Sequence, residues 1–241
     1  MGAVALGPME AIAIIFIALG IAGAIFIAIH SSYTLPGITV PIKIAWVLGS
    51  ALLPVLGVIL YINAYRRPVY FEGMMTRWLR PPGIQAASAT MMGFGYGAPA
   101  MIAVAYIFAY FGFPVFFSEG INDTIFWAGA GMPVMMFWMY LGALILVIFL
   151  VQYPMKNTMM EIKDGMILLK GLKVAFLSMT AVSLGMMTMS WWMMMVHIPM
   201  MPKEDDILWF GTMWIASFIG FLVAWPLNSL MIRKNIKHGN R

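Results

Sequence analysis

The sequence predicts an all-α fold: a polytopic integral membrane bundle of about six transmembrane helices with both termini cytoplasmic. Three observations carry this. First, six stretches contain no Asp, Glu, Lys or Arg: Ala11–Ile42, Ile44–Tyr65, Pro81–Ser118, Thr124–Met155, Val174–Pro202 and Ile207–Ile232. Each exceeds the roughly 20 apolar residues that a helix rising about 1.5 Å per residue needs to cross the hydrocarbon layer. Second, the chain is 63% hydrophobic and 10% charged, whereas a soluble domain carries about a quarter charged residues. Third, the charges are sorted. If six spans alternate, Arg66, Arg67, Arg77, Arg80, Lys156, Lys163, Lys170, Lys173, Arg233, Lys234, Lys237 and Arg241 share one side, and only Lys43 and Lys203 face the other. That asymmetry is the positive-inside pattern and places both termini in the cytoplasm.

Helix is the predicted element throughout, because backbone groups in lipid must be satisfied within the segment and these runs do not alternate as barrel strands do. The approximate spans are 11–30, 44–63, 93–117, 124–151, 172–197 and 207–232, in a single domain covering 1–241. The first is read as a retained helix rather than a signal peptide, since its apolar run is long and no basic segment precedes it. Pro54, Pro99, Pro133 and Pro226 fall inside predicted spans and predict kinks. Near Pro226, Asn228 is placed to satisfy a freed backbone group. Small residues four apart, Gly20, Ala24 and Ala28 in the first span and Ala216, Gly220 and Ala224 in the last, predict close helix contacts. Between spans four and five, Met155, Met159, Ile162 and Met166 recur at helical spacing, as in a surface elbow at the inner headgroups.

The net charge of +5 is accounted for by topology, so no nucleic-acid partner is expected. The absence of cysteine removes disulfides, thiolate metal sites and thiol nucleophiles. Gly93-Phe94-Gly95-Tyr96-Gly97 has the look of a phosphate loop or an ion filter. It lacks the Lys-Ser/Thr that nucleotide sites add and lies near the inner end of its span, so it reads as close packing or an irregular helix start.

Methionine occurs 26 times and clusters. Met179, Ser183, Met186, Ser190, Met193, His197 and Met200 follow steps of four and three along the fifth span, and Met132, Met135, Met136 and Met139 gather in the fourth. Thioether and imidazole are soft donors suited to Cu(I). On the six-span topology His30 and His197 reach the same outer face. His30, His197, Met186, Met193, Met200 and Met201 are therefore the candidate metal ligands, with copper the cofactor they would hold. The competing reading is packing, because methionine is also the flexible filler of apolar interiors. Trp127, Trp191, Trp192 and Trp209 are expected in an outer aromatic belt. No charged residue sits at the centre of any span and no catalytic triad or metalloprotease motif is present, so the sequence does not point to an enzyme.

Gln152-Tyr153-Pro154-Met155, Gly171-Leu172-Lys173, Leu177-Ser178-Met179-Thr180-Ala181, Gly185-Met186, Trp209-Phe210, Gly220-Phe221 and Trp225-Pro226-Leu227-Asn228, closing on Ile232-Arg233-Lys234-Asn235-Ile236-Lys237, carry a resemblance. From about residue 90 to 241 the chain resembles the uncharacterised bacterial and archaeal membrane family known as domain of unknown function 4396. The resemblance implies a multi-pass protein of a prokaryotic plasma membrane and assigns no activity. Members of that family show His-Cys and Gly-Cys pairs near the third span that would suit a soft metal. Here the matching stretch is Ala89-Thr90-Met91-Met92-Gly93, with thioethers in their place. The function expected is that of a non-catalytic integral membrane protein, an accessory or structural subunit of a larger membrane complex whose partners are the lipid bilayer and other membrane subunits. The alternative is Cu(I) or soft-metal binding or transport along the Met/His seam.

Overall fold

The computed structural model describes residues 7–35, 38–65, 70–71, 74–75, 82–110, 124–127, 130–147, 165–193 and 206–234. These residues are predominantly helical. In chain order they form α1 (Pro8–Thr34), α2 (Val40–Ala51), α3 (Leu56–Ala64), a two-stranded hairpin β1 (Tyr70–Phe71) and β2 (Met74–Met75), α4 (Pro82–Tyr110), a second hairpin β3 (Thr124–Trp127) and β4 (Ala130–Pro133), α5 (Val134–Val147), α6 (Gly165–Trp192) and α7 (Ile207–Arg233). Among the described residues, three helices are long and apolar enough to cross a membrane: α1, α4 over Pro82–Ile107, and α7.

The second uncharged stretch is not one continuous helix, which corrects the expectation of a kinked span. α2 stops at Ala51 and α3 runs back beside it. Trp46 and Tyr61 stack edge to face with centroids 5.6 Å apart, and the Trp46 indole donates to the Tyr65 hydroxyl at 3.0 Å. Residues that far apart in one straight helix would be separated by about 22 Å, so the chain has reversed. Pro54 causes the stop: it has no N–H, its ring clashes with the carbonyl four residues back, and it drives Leu53 out of the helical region. Val55 then sits at φ 60°, ψ −51°, with the Leu56 N–H reaching back to the Pro54 carbonyl at 2.6 Å. This is a γ-turn of the rare, positive-φ kind, strained for any β-branched residue. The reversal closes tightly because residue 57 is glycine: a Cβ there would stand 2.7 Å from the Ser50 hydroxyl and 2.8 Å from Ser50 Cα.

The fourth stretch also departs from a simple helix. Thr124–Trp127 pairs antiparallel with Ala130–Pro133, Thr124 opposite Pro133, and only then does α5 begin. Gly131 and Pro133 explain this, since each weakens or terminates a helix. Pro133 closes a strand and does not kink a span. Pro99 and Pro226, by contrast, lie inside α4 and α7. The predicted elbow at 155–166 lies outside the described residues except for Gly165 and Met166, which open α6.

Helix directions follow from side-chain pairs. α6 and α7 form the most extensive contact and run antiparallel: Ser178 meets Asn228, Met186 meets Ser217 and Ser190 meets Met213. Gly185 and Gly220 let their backbones touch, a Cβ on Gly185 standing 2.7 Å from Gly220 Cα. Ala216, Gly220 and Ala224 are all buried, as the small-residue spacing predicts. α4 runs against α7, with Tyr106 on Phe210, Phe94 on Phe221 and the Trp225 indole on the Gly83 carbonyl. α1 runs with α7: Ala13 abuts Gly211, Phe16 faces Phe218 at 6.0 Å and Gly20 lies by Trp214. The core between them is built from Trp46, Tyr61, Met91, Phe94, Met101, Met179, Met186 and Phe221.

Replacing Val55 by Gly is expected to raise the unfolding midpoint in detergent by the equivalent of about 1–2 kcal/mol, because glycine adopts positive φ without strain. If residues 44–63 formed one helix, the same change would destabilise it by about 1 kcal/mol.

Candidate functional site

A helix that ends in an apolar layer leaves carbonyl groups without partners, and each must find one. At the end of α2 the Ala51 carbonyl accepts from the Trp214 indole of α7 at 2.8 Å, across 163 positions of sequence. Gly20 of α1 lies directly against the same carbonyl, an approach that leaves no room for a side chain. The tip of the hairpin is thus pinned by α1 and α7 together, with Leu52 and Leu53 buried in the core. Next to it in sequence, Ser50 on α2 is almost fully buried, and its hydroxyl has no hydrogen-bond partner among the described residues. This junction is the feature of the fold most unlike ordinary bundle packing. Proline at 54, flanked by Gly49-Ser50 and Gly57, was its signal in the sequence; nothing there singled out Trp214.

At the other end of the hairpin stands His30. Its Nδ1 lies 3.0 Å from the Tyr61 hydroxyl and 3.0 Å from the Thr34 hydroxyl, its ring is T-shaped to Tyr61 and stacked on Phe26. It therefore anchors α1 to α3. α1 packs on α2, α3 and α7, while α6 packs on α4, α5 and α7, so the principal helix contacts do not bring His30 to the methionine seam. His197, Met200 and Met201 lie outside the described residues. Met193 is half-buried at the end of α6.

From Met179 to Ser190 the seam is a packing face. Met179, Ser183, Met186 and Ser190 are all buried. Their sulfurs and hydroxyls pair across helices: Ser183 donates to Met101 Sδ at 3.3 Å, Ser190 lies 3.9 Å from Met213 Sδ and Ser217 lies 3.9 Å from Met186 Sδ. Met179 lies against Gly97 and Met91 against Gly49. Glycines 93, 95 and 97 are mid-helix in α4, not at an irregular start, and receive Ser178, the Ala45 backbone and Met179 respectively. Asn228, buried and just past Pro226, donates to the Ala224 carbonyl at 2.9 Å and exchanges hydrogen bonds with Ser178. It thus binds backbone, but at the Ala224 carbonyl and not at the Leu222 carbonyl that Pro226 frees, the partner expected from the sequence. Trp209, expected at a lipid interface, is buried against Phe210 and Tyr106, whereas Trp191 and Trp192 are exposed. No group of three or more His, Asp or Glu side chains comes together among the described residues.

What the fold and junction define is a helical protein whose long apolar helices can cross a membrane and enclose a short hairpin that reverses inside their packing. Residues 84–237 match the family described as a domain of unknown function, DUF4396, and the chain belongs to that family. The match covers α4 through the end of α7, so α1 and the hairpin lie outside it. No curated protein and no solved structure matches the chain.

Trp214→Phe keeps the ring and removes the donor, leaving the part-buried Ala51 carbonyl unpaired. Unfolding in a detergent titration is expected to show a loss of about 1–3 kcal/mol. Trp225→Phe, whose bond to Gly83 is exposed, is expected to cost less than about 1 kcal/mol. In a double-mutant cycle, Ser178→Ala and Asn228→Ala are expected to be non-additive by at least about 0.5 kcal/mol.

Proposed function

We propose that this is a non-catalytic integral membrane protein, a subunit of a larger membrane assembly, built as five crossings and one re-entrant hairpin with its N-terminus outside and its C-terminus inside. α2 and α3, of 12 and 9 residues, rise about 18 and 14 Å. Neither crosses about 30 Å of hydrocarbon, and their antiparallel contact returns the chain to the side it left. The shared direction of α1 and α7 supports termini on opposite sides. Because α6 runs with α4, this topology needs one further crossing between them, and α5, which packs on both, supplies its described part.

The charge pattern improves under this topology. Lys43, at the entry to the hairpin, joins the four arginines at 66–80, the four lysines at 156–173 and the four basic residues at 233–241. Of 14 basic residues, only Lys203 remains outside. The six-span reading, by contrast, left Lys43 as an exception to the positive-inside rule.

The observation that carries the subunit reading is the outer side of α1. Its small residues Gly20, Gly23 and Ala24 are spent internally. The opposite side exposes Ile12, Ile15, Leu19, Ala22, Phe26 and Ile29, spaced 3-4-3-4-3, the seam by which one helix packs on another. In gently solubilised native membranes the protein is expected to migrate well above its monomer mass of 26.8 kDa, and Ala22→Trp to release it. Migration alone at monomer mass refutes the subunit reading.

Topology is tested separately by single cysteines in this cysteine-free chain. A membrane-impermeant maleimide applied to intact cells is expected to label Gly2→Cys and to spare Lys43→Cys and Asn240→Cys. With His30 inside and His197 outside, a soft-metal site would keep only His197, Met193, Met200 and Met201, and His197→Ala would then abolish anaerobic Cu(I) binding.

A further inference from the structure

We propose that the groove beyond the tip of the re-entrant hairpin seats one acyl chain of an outer-leaflet phospholipid. The proposal rests on the five-crossing topology. A hairpin whose entering helix rises about 18 Å stops roughly 12 Å short of the far side of the hydrocarbon layer. What it leaves unfilled is a groove of about 380 Å³, lined by Ala51 and Leu52 at the tip, Pro99 and Ala103 in the C-terminal half of α4, and Phe210 and Trp214 in the first two turns of α7. Phe210 and Trp214 lie about 5 and 11 Å along α7 from Ile207. The groove therefore runs inward from the outer boundary, with Tyr106 and Phe210 in ring contact at its mouth, where an aromatic belt is expected.

The chemistry of the lining selects the occupant. The indole N–H of Trp214 is committed to the Ala51 carbonyl at 2.8 Å, and the tip and α4 residues named above offer the groove only aliphatic surface. A ligand with hydrogen-bonding needs would lose them on entry, at a cost of several kcal/mol. Left empty, the groove would forfeit dispersion contacts along its whole length. One turn of a partner helix, about 10 Å across and 5.4 Å long, takes up about 420 Å³, more than the whole groove holds, so a helix would bridge the opening. A methylene chain has no polar group to desolvate and fills the space.

The test uses the full-length protein in phosphatidylcholine vesicles doped with a phosphatidylcholine carrying a mid-chain diazirine, with protein orientation assigned by protease protection. After photolysis, adducts on groove residues are expected to exceed those on the exposed α1 residues Ile21 and Ile25, which lie outside the seam, about fivefold, a preference of roughly 1 kcal/mol. Ala103→Trp, which fills the groove, should remove that excess and leave α1 labelling unchanged. Ala103→Leu, a smaller change that keeps the assay interpretable if the Trp variant does not fold, should give an intermediate value. Equal labelling of groove and α1, or labelling insensitive to both Ala103 variants, overturns the proposal. So does cross-linking of two protein copies through residue 103, which would make the occupant a second chain. Enrichment from probe confined to the inner leaflet keeps an acyl-chain groove but overturns its outer-leaflet assignment, and with it the topology.

Discussion

An apolar solvent does not hydrogen-bond to the backbone, and the organisation of this protein turns on one place where the backbone would otherwise go unsatisfied. α2 ends in the middle of the helix packing at Ala51. Its exposed carbonyl is capped by an indole from a helix at the opposite end of the chain, while a glycine on a third helix lets the backbones close around it. A helix end of this kind costs several kcal/mol per unmet group in lipid, so the reversal at Pro54 and Val55 is tolerable only inside this enclosure. The strain at Val55 and the unpartnered hydroxyl of Ser50 are further costs concentrated at the same place, offset by the packing of Trp46, Leu53, Tyr61 and Met91 around it.

The methionines illustrate how one composition supports two chemistries. Spaced along a helix, they present as a line of soft donors. Packed, Met101, Met186 and Met213 are each met by a serine hydroxyl from a neighbouring helix, and Met91 and Met179 fill the volume that glycines vacate. Flexible thioethers suit this use because they fill irregular gaps and accept weak hydrogen bonds. In the same way the glycine run in α4 resembles a ligand loop and serves as a landing strip for three neighbours.

Much of the fold was legible from residue order. Uncharged stretches of sufficient length gave apolar helices, and the four-residue spacing of Ala216, Gly220 and Ala224 gave the face on which α6 and α7 meet. The illegible parts were those where distant residues decide. Pro54 permits either a kink or a reversal, and the choice depends on whether Tyr61 and Tyr65 can reach Trp46 and whether Trp214 is present to cap Ala51. Likewise, Gly131 and Pro133 disfavour a helix without specifying the hairpin that replaces it. Of the candidate metal ligands, Met186 belongs to the core and His30 to an aromatic anchor between α1 and α3. The spacing that suggested them reports which residues share a helix face and not what that face touches.

The sequence by itself determined that these helices are apolar, how long each uncharged run is and where the cations collect, because solvation and charge are properties of residues taken one at a time and in order. Only the tertiary structure decided which runs continue as one helix and how the helices point relative to one another. A reversal, the cap that stabilises it and the groove it leaves behind depend on contacts between residues far apart in the chain, and those distances exist only once the helices have packed.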